Sequence, residues 1–266
     1  MPFADSDGAR IYYDDRGAGE PAILCLPGWC VHHTIFTPTA KRLSARHCVL
    51  ALDWRGHGRS PASDREWGHA EMVADALAVI QASGVEAVIP LTQAHAGWIA
   101  ILLQQRLGGR VPRMVFASWN PILTTDNPLA PPFLAAMQAL QDEARWHEAV
   151  EQLVTMWLRD APAPVAAQMR AETSSHGYAD WARAAHEITA TYAREGDPLQ
   201  ALSRLHPPVP ALHMYAQPRA PEYLAAQESF AGEHPWFAVR RVEAVSHFPT
   251  LEAPEESAEV IEGFIG

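Results

Sequence analysis

Short apolar, β-branched runs recur along the chain at residues 22–27, 48–53, 87–92, 113–118, 211–215 and 237–242. Several are apolar nearly throughout, which predicts strands covered on both faces. Between them, residues 69–83 and 97–107 carry apolar positions three and four apart and stop at Gly84 and Gly108, the pattern of helices ended by a left-handed glycine. Strand–helix alternation of this kind predicts an α/β fold: a mostly parallel sheet with helices on both faces. From about residue 120 to 207 the strand signal disappears, and 133–142, 145–159, 165–173 and 178–194 read as helices. The expected organisation is therefore a core made of residues 1–120 and 205–266, interrupted by a helical cap over 121–204. An amphipathic helix over 254–265, with Pro254 in its first turn, is expected to close the chain.

Composition narrows the partners. With 266 residues, 48% of them hydrophobic and 19% charged, the chain has the makings of a large core and does not read as disordered. Thirty-one acidic against twenty basic side chains give a formal charge of −11, which repels phosphate backbones and anionic headgroups, so neither nucleic acid nor membrane is an expected partner. Cys25, Cys30 and Cys48 form no C-x-x-C pair, which argues against a disulfide framework or zinc knuckle and fits a reducing cytoplasm. The first fifteen residues have no apolar leader core, and the longest apolar run, around Trp98 to Leu103, is about six residues against the ~20 that a spanning helix needs. His32 and His33 are adjacent and lack cysteine or carboxylate at ligand spacing, so no metal is expected there. Gly56 and Gly58 begin a dinucleotide fingerprint that fails at Pro61.

In open parallel sheets a ligand lies beyond the carboxyl ends of the strands, so the loops after them hold the candidate chemistry. Four are unusual: Pro27-Gly28-Trp29-Cys30-Val31-His32-His33, Asp53-Trp54-Arg55-Gly56-His57-Gly58-Arg59-Ser60, Gln93-Ala94-His95-Ala96-Gly97-Trp98 and Ser246-His247-Phe248-Pro249. In this order the set resembles the α/β-hydrolase fold. There, a glycine-bearing loop donates one oxyanion N–H, an R-G-x-G-x-S turn follows, a nucleophile sits on a strained strand-to-helix elbow, and a histidine comes last. Arg55 and His57 are expected to build their turn. The elbow departs from the pattern: Ala94 stands where the serine belongs, and a methyl group cannot attack a carbonyl.

More narrowly, the chain is similar to the cofactor-independent dioxygenases that open the ring of 3-hydroxy-4(1H)-quinolones and release carbon monoxide. The resemblance rests on Leu26 to Cys30, Asp53 to His57, His95 to Trp98, and Gln217-Pro218 with His234 to Phe237 leading to His247-Phe248-Pro249. Members usually keep the elbow serine and an aspartate just after the strand ending near Ser118; here Ala94 and Ser118 occupy those places. The resemblance implies a heteroaromatic enol and O2 as reactants and needs no cofactor and no metal. Histidine, with an ordinary pKa of about 6.5, suits the removal of the enol proton. His247 is then the expected base, the N–H groups of Trp29 and His95 the oxyanion site, and the His95 ring a possible substrate contact. Ala94, Trp98, Trp119, Trp157, Trp181, His32 and Phe248 are the expected substrate wall, and Ser118, Asn120 or Asp126 the group that orients the base. Other readings of the same residues are a non-hydrolytic lyase or isomerase, a binding protein without turnover, or a hydrolase whose elbow serine has been changed to alanine.

Overall fold

The computed structural model describes residues 2–120 and 130–266. Its strands, in chain order, are β1 (Phe3–Ser6), β2 (Ala9–Arg16), β3 (Ala22–Leu26), β4 (Val49–Leu52), β5 (Val88–Gln93), β6 (Met114–Ala117), β7 (Ala211–Tyr215) and β8 (Phe237–Arg241). They form one sheet in the order β1-β2-β4-β3-β5-β6-β7-β8, antiparallel for the β1–β2 and β2–β4 pairs and parallel elsewhere. β3 to β7 are buried along their whole length, as their mostly apolar sequence requires of strands sandwiched between helices.

The helices are α1 (Thr37–Leu43), α2 (His69–Ser83), α3 (Gly97–Leu107), α4 (Ala130–Leu140), α5 (Trp146–Trp157), α6 (Ala163–Thr173), α7 (Tyr178–Glu195), α8 (Pro198–Ser203), α9 (Pro221–Glu233), α10 (Pro249–Glu252) and α11 (Pro254–Ile265). α2 begins where the Glu71 carboxylate accepts the Gly68 N–H at 2.8 Å and ends at Gly84, whose φ of 75° continues the chain at no Cβ cost. Helices α4 to α8 fall between β6 and β7, with α4 packed on α5 and α7.

Two elements escape the periodicity. The β1–β2 hairpin turns through Asp7 and Gly8, both at positive φ, and Asp-Gly is the strongest local signal for such a turn. Its strands lie at the sheet edge and carry charged residues, so no apolar run marks them. Between β7 and β8, α9 buries only Tyr223 and Gln227 among its residues, which leaves little of a hydrophobic stripe.

The turn after β4 is held from within. Arg55 makes a bidentate pair with Asp75 of α2 (Nε to Oδ2 3.0 Å, Nη2 to Oδ1 2.5 Å), and both side chains are buried. The His57 ring bridges two loops, accepting the Cys30 N–H at Nε2 and facing the Arg55 carbonyl with Nδ1, each at 3.1 Å. Asp53 takes the N–H groups of His33 and Arg59 and the His33 ring. Asp75→Ala leaves a guanidinium buried without its partner, and the expected loss is about 3–5 kcal/mol, read as a lower urea midpoint with unchanged slope. A loss below ~1 kcal/mol would show that water reaches this pair.

Candidate active site

β5 runs into the elbow at Ala94, which has a φ of 49°, and α3 starts three residues later. A side chain in the left-handed region costs on the order of 1–3 kcal/mol and persists where the surroundings impose it. Cys30 after β3 (φ 58°) and Ser118 after β6 (φ 50°) share this conformation, so three strained residues stand at the carboxyl ends of three neighbouring strands. Gly28 brings the loop after β3 against the elbow: a Cβ there would lie 3.3 Å from the Gln93 carbonyl and 3.7 Å from the Ala94 methyl. The Trp29 N–H takes no part in the backbone hydrogen bonds of that loop. The His95 N–H is in the first turn of a helical segment, where amides have no partner inside the helix. Two amides are thus available side by side above an elbow that carries no nucleophile.

The loop holding His247 is pinned at every residue. Glu252 accepts the N–H groups of Val245 (2.9 Å) and Ser246 (2.8 Å), and Ser246 Oγ accepts that of Phe248 (3.2 Å). The His247 N–H donates to the Trp157 carbonyl at 2.8 Å, and Gln93 Nε2 donates to the His247 carbonyl at 2.8 Å. Gln217 Nε2 donates to the same Trp157 carbonyl at 3.0 Å. The Trp157 indole stacks on the imidazole, 5.5 Å between centroids and 14° between planes, and Phe248 meets it edge-on at 5.4 Å.

Part of the His247 surface is open and neither ring nitrogen has a hydrogen-bond partner among the described residues, yet protein encloses the ring. That enclosure pushes its pKa down to about 4, and the His213 imidazole acts in the same direction. Burial pushes His95 down to about 3, helped by His247 and His69. Both rings are neutral at pH 7, and His247 is in the form that accepts a proton.

The remaining expected residues divide. Phe248 and Trp181 both pack on Trp157, with centroids 6.2 Å and 6.3 Å from its indole. The His95 ring packs against Phe133 (5.3 Å) and Tyr192 (5.9 Å), with Nδ1 buried and without a partner among the described residues. Trp98, Trp119 and His32, also expected in the substrate wall, make the following contacts with protein groups. Trp98 and Trp119 are each 1% exposed, pack edge to face at 5.2 Å, and Trp119 lies over Gly97, where any Cβ would collide with its ring. His32 turns toward the α6–α7 helices, its Nε2 3.3 Å from His176 Nε2 and its N–H on the Glu172 carboxylate. The Trp29 indole stacks on Trp67 at 5.1 Å, so what it offers the elbow is its backbone.

Ser118 Oγ and Asn120 Oδ1 are buried with no partner among the described residues, and neither bonds the imidazole. Asp126 lies outside the described residues. Gln93, Gln217, Tyr192 and Phe133 were not singled out from sequence as site residues. Gln93 and Gln217 were within reach, each a polar residue at or just beyond the carboxyl end of a mostly apolar strand.

Cys30, His57 and His176 place potential ligand atoms within 4.8 Å of one another. Both His57 nitrogens already face backbone partners, and those of His176 face His32 and Asp180, which leaves Cys30 as the one uncommitted donor of the three, fewer than a closed metal site needs. No described helix is long and apolar enough to cross a membrane.

The sheet order, the elbow and the final histidine define an α/β hydrolase, and the profile of the Alpha/beta hydrolase family matches residues 23–260. Within it, the chain belongs to the 3-hydroxy-4-quinolone 2,4-dioxygenases. It is 34% identical over 97% of its length, and 96% of the relative's, to the 2-heptyl-3-hydroxy-4-quinolone dioxygenase AqdC2 of Rhodococcus erythropolis. It is 28% identical over its whole length, and 99% of the relative's, to the 1H-3-hydroxy-4-oxoquinoline 2,4-dioxygenase of Pseudomonas putida. A solved AqdC variant in complex with its substrate, in work on ring cleavage of the Pseudomonas quinolone signal, matches with a TM-score of 0.91 and 30% identity over 99% of this chain and 98% of that one.

Proposed function

We propose that this protein cleaves the heterocyclic ring of a 3-hydroxy-4-quinolone with O2, releasing carbon monoxide and an N-acylanthranilate, and that His247 is the base that starts the reaction. The observation that carries this reading is an elbow held in strained geometry without a nucleophile, facing a neutral imidazole whose nitrogens have no hydrogen-bond partner among the described residues. An ester hydrolase needs an acylated serine; ring cleavage of an enol does not. Once His247 removes the 3-hydroxyl proton, the electron-rich anion passes an electron to O2. Recombination at C2 gives a peroxide that closes onto C4, and collapse of the bridged ring expels C3 as carbon monoxide. The Trp29 and His95 amides are placed to take the charge developing on oxygen. Trp157, Trp181 and Phe248 suit a flat bicyclic ring and keep water away. The three buried, unpaired cysteines fit a reducing, cytoplasmic setting.

The test mixes the protein anaerobically with a 3-hydroxy-4-quinolone, follows its absorption, then admits air and measures carbon monoxide. Deprotonation followed by gas supports the reading. Turnover indifferent to oxygen would make the protein a lyase or isomerase, and a spectral shift with no turnover a binding protein.

Ala94→Ser adds at most one hydrogen bond, net about 0.5–1.5 kcal/mol, so ring cleavage is expected to change by no more than about tenfold. Mass spectrometry of the variant with activated esters is expected to find no acyl adduct. An adduct with burst kinetics would identify a hydrolase disabled by loss of its serine.

A further inference from the structure

We propose that Trp157, at the end of helix α5, takes the place of the carboxylate that orients and charge-balances the histidine in hydrolase triads. This rests on His247 acting as the base. A base enclosed by protein must carry a positive charge once it has taken its proton, and the described side chains around His247 offer little to balance it. The ionisable side chains acting on it are His213 from β7 and His95 from the elbow, both imidazoles, which oppose that charge. The carboxylate of Glu252, packed from α10, is engaged with the N–H groups of Val245 and Ser246. Ser118 and Asn120 make no bond to the ring.

Trp157 meets both needs. Its indole runs nearly parallel to the imidazole at 5.5 Å and 14°, which holds the neutral ring by offset stacking and keeps the imidazolium within cation–π range of the π system. Its carbonyl ends a twelve-residue helix, where the last C=O groups lack intrahelical partners and the helix dipole is negative. The His247 N–H and Gln217 Nε2 fill that carbonyl, so the negative end of α5 is fixed against the base. Gln93 holds the other side of the same residue through its carbonyl. Among the described residues, ring plane, backbone and charge are all set without a carboxylate bond to the imidazole, and the set runs through a helix that lies between β6 and β7.

The decisive experiment keeps the shape and changes the electronics. Site-specific incorporation of tetrafluorotryptophan at position 157 in the full chain weakens the face of the ring at nearly constant size, and the onset of His247 protonation is followed by NMR between pH 7 and 5.5, where the fold persists, in the absence of substrate. The expected result is a His247 pKa lower by about 0.5–1 unit, from the size of a cation–π contact. An unchanged titration overturns the proposal, and a role confined to packing predicts that result. Trp157→Leu is expected to lower kcat for ring cleavage at least tenfold while KM changes less than threefold; full kcat would equally overturn it. Should ring cleavage be absent from the unmodified protein while fluorination still lowers the pKa, the proposed function fails and the pairing of Trp157 with His247 stands.

Discussion

His247→Ala is expected to abolish deprotonation of a bound 3-hydroxy-4-quinolone under anaerobic conditions and to lower carbon monoxide release in air by about 10²–10⁴-fold, the range that a positioned general base supplies. The enol must lose its proton before it donates an electron, and no other neutral imidazole among the described residues stands in the same ring of aromatics. His95 has its pKa pushed further down, to about 3, and is a weaker base. The loss should fall mainly on kcat, because Trp157, Trp181 and Phe248 still enclose the substrate. The pH profile carries a second check. A folded pKa of about 4 leaves His247 neutral well below its ordinary 6.5, so the initial rate should stay level from pH 7 to about 5.5 and fall only toward pH 4. A base limb near 6.5, or an alanine variant with full turnover, would assign proton removal to another group.

Acid is expected to unfold the protein before it silences the base. Besides the two site imidazoles, His57, His69 and His213 are 0%, 4% and 1% exposed and have pKa values pushed down by burial to about 3, 4 and 4. In the unfolded chain each returns to about 6.5. Above that pH neither state binds the proton and stability is complete. As pH falls below 6.5 the unfolded chain takes up protons that the folded chain refuses, and stability is lost down to about pH 4. Each group contributes about 1.4 kcal/mol per pH unit, so the five together remove roughly 7 kcal/mol per unit in the middle of that window, against a total of about 5–15 kcal/mol for a domain. Urea midpoints should therefore drop steeply between pH 6.5 and 5, with unfolding near pH 5, and His213→Gln should reduce the slope by about a fifth. Midpoints flat across that range would mean that these rings take up protons without unfolding. Initial rates taken within seconds of acid transfer separate this loss from titration of the base.

The two expectations differ in how far sequence reaches. Local periodicity was enough for the parallel strands, because a strand covered on both faces must be apolar throughout, and enough for α2 and α3, whose stripes and closing glycines are written in consecutive residues. The order of loops was also legible, since each follows a strand directly. It located the Ala94 elbow and His247, and it located the absence of a serine. The edge hairpin escaped because its strands are charged and its signal is the single Asp7-Gly8 turn.

The direction of each aromatic ring was beyond the sequence. Nine tryptophans and loop positions suggested one wall, but helix and sheet packing turned Trp98 and Trp119 into the core and turned the Trp29 indole onto Trp67. The support of the base was likewise decided by folding. Gln93 and His247 are 154 residues apart, and Trp157 reaches the same loop from a helix placed between two strands. Spacing along the chain records which face of an element is apolar; it carries no record of which distant element comes to lie on that face. On its own the sequence determined the sheet, the elbow without a nucleophile and the terminal histidine. Tertiary packing alone decided what holds that histidine and why it is neutral.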